Sequence, residues 1–453
     1  MTLPDYFIAD LPPGADLTPA MITEACRTLK RNREQYLAHR STHSLIKVLS
    51  ETAACWLDDQ YPFRKLALER GPEATGFSRA ILIHGLNAFF AQLTAENLHA
   101  WVLRDLGHER RLDALIATDL ERRAGHAALA RGPELLGHIT AGSLPIPAMM
   151  SLVQGLLVRS AQFVKCASGA SLIPRLWAHS LYEMDHKLCA CVEIAEWKGG
   201  TTDLEAALFA EADCVTATGS DEALDHIRRR LPLGVRFLGH GHRVSFGYIG
   251  REAWTLYAPH KVAALAARDV VSWDQLGCLS PHVFYVESAG LVDAEQFAAL
   301  LAAALAEREE IEPRGNLSLQ SAATIVHRRG FYEIRAACSA LTKQWVSPDS
   351  TAWTVVYESD PLFQVSCLNR FIYVKPVQNL QVALQGADRV RGKVSTVGLL
   401  ADDPKVHDLA VALAQWGVTR ICPLGRMQQP PLAWRHDGRP SLADLVLWTD
   451  WEQ

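Results

Sequence analysis

A catalytic nucleophile must be fixed in place, stand at the end of an element and stay open to substrate. Cys278 has the sequence surroundings of such a position. It stands in Asp274-Gln275-Leu276-Gly277-Cys278-Leu279-Ser280-Pro281, just before the apolar run Val283-Phe284-Tyr285-Val286. Gly and Pro mark a short turn at the mouth of a strand. A thiolate held there can act as a nucleophile. The competing reading is a structural cysteine, because Cys is among the most buried residue types. That reading suits the other nine, Cys26, Cys55, Cys166, Cys189, Cys191, Cys214, Cys338, Cys367 and Cys422.

Two further segments carry ligand-binding chemistry. Thr216-Ala217-Thr218-Gly219-Ser220-Asp221 reads as a strand-to-helix junction. Gly219 and Ser220 there either bring N–H groups and a hydroxyl to a phosphate, or simply cap the helix. Lys165 closes a strand and opens the Ser/Gly turn after it. Its cation either pairs with a cofactor phosphate or ribose, or is an ordinary surface lysine. Gly239-His240-Gly241-His242 puts two histidines on one face of a strand. Neither this pair nor Cys189 with Cys191 has further ligands at diagnostic spacing, so no metal is expected.

These residues need elements to hold them. With 49% hydrophobic and 21% charged residues, the 453-residue chain has a globular composition and length for two or three domains. A formal net charge of -5 gives no basic field for nucleic acid or membrane. Ten dispersed cysteines, no basic-then-apolar leader and no apolar run of about 20 residues suggest a reduced, soluble, cytoplasmic protein.

Residues 20 to 57 read as helices broken near Ser41, with Arg27, Lys30, Arg31, Arg33 and Arg40 on a solvated face or a phosphate patch. Residues 75 to 130 also read as helices. Strands are then expected at 161–164, 189–194, 214–217, 235–238, 244–249, 282–287, 354–357 and 371–374. Helices at 204–212, 221–230, 293–310 and 405–416 alternate with them. Asp293 and Gln296 have the spacing of a capping box. Such alternation makes a parallel sheet with crossover helices. Two α/β halves imply a ligand cleft between them.

The order strand-Lys165, Thr218-Gly219-Ser220, Gly-rich strand at 239–242 and then Cys278 resembles the aldehyde dehydrogenase superfamily. The resemblance is closer to its acyl-CoA reductase branch, the LuxC-type fatty-acyl reductases. It is carried by His138-Ile139-Thr140-Ala141-Gly142-Ser143-Leu144-Pro145, by Gly239 to Gly247, by the Cys278 segment and by Ser395-Thr396-Val397-Gly398. Most specific is the tail, Arg420-Ile421-Cys422-Pro423-Leu424-Gly425-Arg426-Met427 with Trp434-Arg435-His436-Asp437-Gly438-Arg439-Pro440.

The resemblance implies an aldehyde dehydrogenase-like α/β fold. Its expected parts are a helical N-terminal segment (1–74), a Rossmann-like nicotinamide-binding domain (75–258), a catalytic domain (259–425) and a packing or oligomerising tail (426–453). It implies that Cys278 attacks an acyl-CoA or acyl-carrier thioester and that hydride reduces the acyl enzyme to an aldehyde. It also implies a homo-oligomer and an acyl-activating partner enzyme.

Lys165, Ser168, Gly219 and Ser220 would hold the cofactor. Many NAD-using relatives have Glu where Ser168 stands; without that charge, NADPH is expected. The position matching the water-activating Glu of aldehyde-oxidising relatives is about Leu238, so hydrolysis of the acyl enzyme is disfavoured. Ser143 stands where the family commonly has an oxyanion-binding Asn. His242, His240 and His282 are candidate proton donors, and Glu358 is the nearest match to a nicotinamide-ribose ligand. Acyl transfer by Cys278 and a non-catalytic binding subunit are the competing functions.

Overall fold

The computed structural model describes residues 3–12 and 14–452. Its strands are β1 (His126–Arg131), β2 (Leu135–Ile139), β3 (Ala161–Cys166), β4 (Val192–Glu196), β5 (Cys214–Thr218), β6 (Arg236–His240), β7 (Val244–Ile249), β8 (Pro281–Glu287), β9 (Thr342–Val346), β10 (Thr354–Glu358), β11 (Phe371–Val377), β12 (Val394–Leu400), β13 (Arg420–Pro423) and β14 (Leu447–Glu452). They lie in two compact units.

The first unit comprises Met1–Thr75, Leu86–Gly241 and Pro431–Gln453. Its core is a parallel sheet in the order β4-β3-β2-β5-β6. Every residue of β2 and β3 is buried, as expected where helices cover both faces of a parallel sheet. The N-terminal helical segment is part of this unit. Ile22, Cys26 and Leu29 of helix Pro19–Tyr36 pack with Leu135, Phe163 and Leu208 in one core. Thr18 and Ser41 cap the first two long helices and account for the break between them.

Two local expectations are corrected here. Residues 126–131 form β1, not helix, pairing antiparallel with β14. Cys189 ends a helical turn capped by Asp185, and the strand starts only at Val192.

The second unit comprises Gly76–Gly85 and His242–Pro430. Its sheet runs β13-β12-β7-β8-β11-β10-β9, parallel throughout except for β9. The units therefore divide the chain elsewhere than at residues 258 and 425. β7 lies between β8 and β12, so its hydrogen bonds tie it to the second unit. Helix Ala294–Ile311 begins with the expected capping box of Asp293 and Gln296. Gly85 is needed where it is, because a Cβ there would lie 2.0 Å from the Trp273 ring. Among the described residues, no helix is long and apolar enough to cross a membrane.

Candidate functional site

Cys278 lies in the turn that enters β8. It is exposed, while Gly277, Leu279, Ser280 and Pro281 around it are buried. The turn is held at several points. Ser245 Oγ donates to the Cys278 carbonyl (2.8 Å) and accepts from the Thr396 backbone N–H (3.1 Å). Gln428 donates to Ser280 Oγ. Gln428 also explains Gly277, since a Cβ there would meet its amide at 2.7 Å.

The approach to Cys278 is backbone that L-residues seldom adopt. Trp273, Asp274 and Gln275 have φ of 52°, 49° and 64°. Left-handed conformations cost about 1–2 kcal/mol per residue, so the surroundings must impose them. Gln275 Nε2 donates to the carbonyls of Pro281 (2.7 Å) and Phe371 (3.0 Å). Buried Asp274 pairs with buried Arg370 at 2.7 Å. Arg370 ends a second left-handed run, Leu368-Asn369-Arg370, with φ of 63°, 55° and 65°. It also binds Glu309 at 2.6 Å and the Glu312 carbonyl at 2.8 Å.

The candidate histidines differ sharply. His282 is buried on β8, and its Nδ1 accepts the Ser366 N–H at 3.0 Å. The proton must then sit on Nε2. Burial, reinforced by the charge of His242, pulls its pKa down to about 4. His282 is therefore neutral near pH 7 and cannot serve as an imidazolium acid. His242 is exposed in the segment before β7, where solvent can return a proton to it.

His240 ends β6, and its Nδ1 lies 3.1 Å from Asp437, whose side chain is almost fully buried. His436 stacks on it, with ring centroids 4.4 Å apart and planes within 6° of parallel. The ligand atoms of His240, His436 and Asp437 lie within 4.8 Å of one another. Imidazole lone pairs lie in the ring plane, so two stacked, parallel rings cannot both point at one ion. As arranged, this is a histidine oriented by a carboxylate. Sequence reasoning misses Asp437 because its partner is far away in the chain.

In the first unit, Lys165 is buried at the next-to-last position of β3. Its ammonium makes no hydrogen bond or ion pair among the described residues, and burial lowers its pKa. Ser168 and Gly169 are exposed in the turn that follows. Sequence reasoning also misses Glu196, at the end of β4. Its carboxylate accepts from the N–H groups of Gly169 (2.6 Å) and Ser171 (3.3 Å). Gly219 leaves β5, and its N–H donates to the His240 carbonyl. Ser220 Oγ caps helix Asp221–Arg230 by accepting the Ala223 N–H at 3.2 Å. Its own O–H can still rotate and donate. Ser143 is exposed in the bend between β2 and helix Ile146–Leu157.

Two other expectations meet structural partners. Glu358 is buried and pairs with Lys375 (3.3 Å) and Arg335 (2.9 Å). The basic N-terminal helices are charge-paired: Arg27 and Lys30 with Glu211, Arg31 with Glu24, Arg33 with Glu34 and Arg40 with Asp185.

Known proteins resemble this chain in sequence and in fold. The chain is 22% identical over 434 residues to a long-chain acyl-protein thioester reductase of Vibrio harveyi, covering 92% of this chain and 84% of that one. A second of that name, from Photorhabdus laumondii, is 22% identical over 420 residues, covering 91% and 82%.

Among solved structures, a bifunctional proline utilization A protein superposes with a TM-score of 0.72 at 16% identity, over 96% of this chain. The chain spans only 45% of that protein's length. An NAD-dependent benzaldehyde dehydrogenase from Corynebacterium glutamicum gives 0.69 at 12% identity, covering 97% and 91%. An NADP-dependent glyceraldehyde-3-phosphate dehydrogenase from Bacillus halodurans, solved with NADP, gives 0.69 at 13%, covering 96% and 92%. At these identities the structures establish the aldehyde dehydrogenase fold. A model of the family described as acyl-CoA reductase (LuxC) matches residues 37–448, and the chain belongs to that family.

Proposed function

We propose that the protein reduces a long-chain acyl thioester to the aldehyde, using NADPH and an acyl intermediate on Cys278. The observation that carries this reading is the Cys278 turn, an exposed thiol in a buried and clamped segment. The Cys278 thiolate adds to the acyl carbonyl carbon. The bond from that carbon to the donor sulfur breaks, and the donor thiol leaves with a proton. NADPH, held by Lys165, Gly219 and Ser220, would supply a hydride to the acyl carbon. The bond to Cys278 Sγ then breaks, releasing aldehyde and restoring the thiolate. In sum, acyl thioester, NADPH and one proton give aldehyde, free thiol and NADP+.

Ser143 donates to the oxyanion in this scheme, and His242 supplies the proton. A nicotinamide dinucleotide fits the first unit. Lys165 offers an ammonium with no hydrogen-bond or ion-pair partner among the described residues, Gly219 opens the end of β5, and Ser220 retains a donor. NADPH is favoured by Ser168 and by Lys165. Glu196 opposes it, since its charge lies beside the turn where a 2′-phosphate would sit. Glu196→Gln is expected to raise the NADPH-to-NADH ratio of kcat/KM by about tenfold, the effect of roughly 1.4 kcal/mol of repulsion. An unchanged or lower ratio would place the ribose elsewhere.

The names of the relatives favour a protein-bound acyl donor; the family description favours CoA. The test is to offer matched acyl-CoA and acyl-protein thioesters without nicotinamide and to seek the acyl group on the Cys278 peptide by mass spectrometry. NADPH added next should release aldehyde from that adduct. Acylation without reduction would leave an acyltransferase; no acylation by either donor would leave a binding subunit.

A further inference from the structure

A cysteine is only a few per cent thiolate near neutral pH unless its surroundings favour the anion. On the proposed reading, Cys278 needs such surroundings. The first residue of β13 is Arg420, with a buried guanidinium. Thr396 stands in register with Arg420 on one side and Ser245 on the other. Arg420 Nη1 lies 3.4 Å from Thr396 Oγ1, the Thr396 N–H donates to Ser245 Oγ, and Ser245 donates to the Cys278 carbonyl. A polar row thus crosses β13, β12 and β7 and ends on the Cys278 backbone carbonyl. Arg420 is held rigidly, donating to the carbonyls of Met427 (2.6 Å) and Arg426 (2.9 Å).

We propose that Arg420 is the fixed positive charge that keeps Cys278 as a thiolate, acting through space while the Thr396–Ser245 row fixes the cysteine's backbone. Burial lowers the Arg420 pKa, and Cys422, Asp269 and then Cys278 oppose it by favouring the charged guanidinium. Such coupling is reciprocal.

The other charges around the pair matter. Asp269 is buried on helix Pro259–Val271 and accepts the N–H groups of Gly425 and Met427 (2.9 Å for the latter). Burial pushes its carboxyl up to about 7, so near neutrality it only partly cancels Arg420. Arg268 flanks the same turn, close to Gly425. Cys422 couples to Arg420, and burial raises that thiol to about 11. His242 and His282 interact beside β8, and Asp274 is neutralised by Arg370.

The test is the rate of Cys278 alkylation by iodoacetamide as a function of pH, read on the Cys278 peptide in the full chain. Arg420→Met is expected to raise the midpoint by about one unit and to slow the reaction by about tenfold at pH values well below the wild-type midpoint. Arg420→Lys keeps the charge and should stay within a few tenths of wild type. Asp269→Asn removes the opposing charge and should lower the midpoint. Circular dichroism establishes which variants are folded; Arg420→Met or Asp269→Asn alone decides, and Arg420→Lys is read against Arg420→Met. A wild-type midpoint in Arg420→Met overturns the proposal, as does a shift in Arg420→Lys as large as that in Arg420→Met. An unchanged or raised midpoint in Asp269→Asn does the same. Alkylation needs no acyl donor or cofactor. Failure of the acyl-enzyme reading would appear instead as a wild-type Cys278 that no thioester acylates.

Discussion

Cys278→Ala is expected to lose aldehyde formation by a factor on the order of 10³ or more, while its melting temperature stays within a degree or two of wild type. On the proposed mechanism the loss is large because no other group can replace the sulfur that would accept the acyl chain. Stability is little changed because the side chain is exposed and the turn is held through the Cys278 carbonyl, which alanine retains. Cys278→Ser is expected to fall nearly as far. A serine hydroxyl lies much further from ionisation than a thiol, and a fixed guanidinium cannot close that gap. Cys338, also exposed but at the end of helix Leu319–Cys338, is the control, and Cys338→Ala should keep full activity. The assay is aldehyde trapped from a preferred acyl thioester in the presence of NADPH. A Cys278→Ala enzyme retaining a tenth of the activity would end the covalent mechanism.

How much the sequence reveals depends on how local each signal is. The Asp293 and Gln296 box is written within four residues and lies where expected. Helix Asp221–Arg230 has the expected bounds because Ser220 and the terminal arginines both mark it. β1 reads as helix in the sequence because its partner, β14, lies at the far end of the chain, and no local pattern announces such a pairing. The Cys278 segment is legible from its Gly and Pro, but its support is not. Ser245, Thr396, Arg420 and Gln428 come from separate segments and meet only when the sheet forms. Glu196 reaches the Ser168 turn for the same reason, because β3 and β4 pair in parallel. Charge logic applied to position 168 alone sees the missing acid but not the one that the neighbouring strand delivers.

Arg370→Met is expected to destabilise the protein by about 3–5 kcal/mol in urea unfolding. Arg370 is fully buried, and its removal leaves Asp274 buried without a counter-charge. Burial already raises the Asp274 pKa against the pull of Arg370, so without the arginine the carboxyl must take up a proton or reach water. Either response disturbs the left-handed run that leads into Cys278, because Asp274 also accepts the Gly315 N–H at 3.0 Å. The double variant, Asp274→Asn with Arg370→Met, should recover at least about 1 kcal/mol, since the stranded charge is gone. It should not recover Cys278 alkylation rates. An amide can accept the Gly315 N–H, but nothing then ties the side chain at position 274 to the run at 368–370. A loss below 1 kcal/mol in the single variant would mean that the two turns hold their strained backbone without the ion pair. Full recovery of both stability and alkylation in the double variant would mean that the pair is a replaceable packing element and does not hold the nucleophile in place.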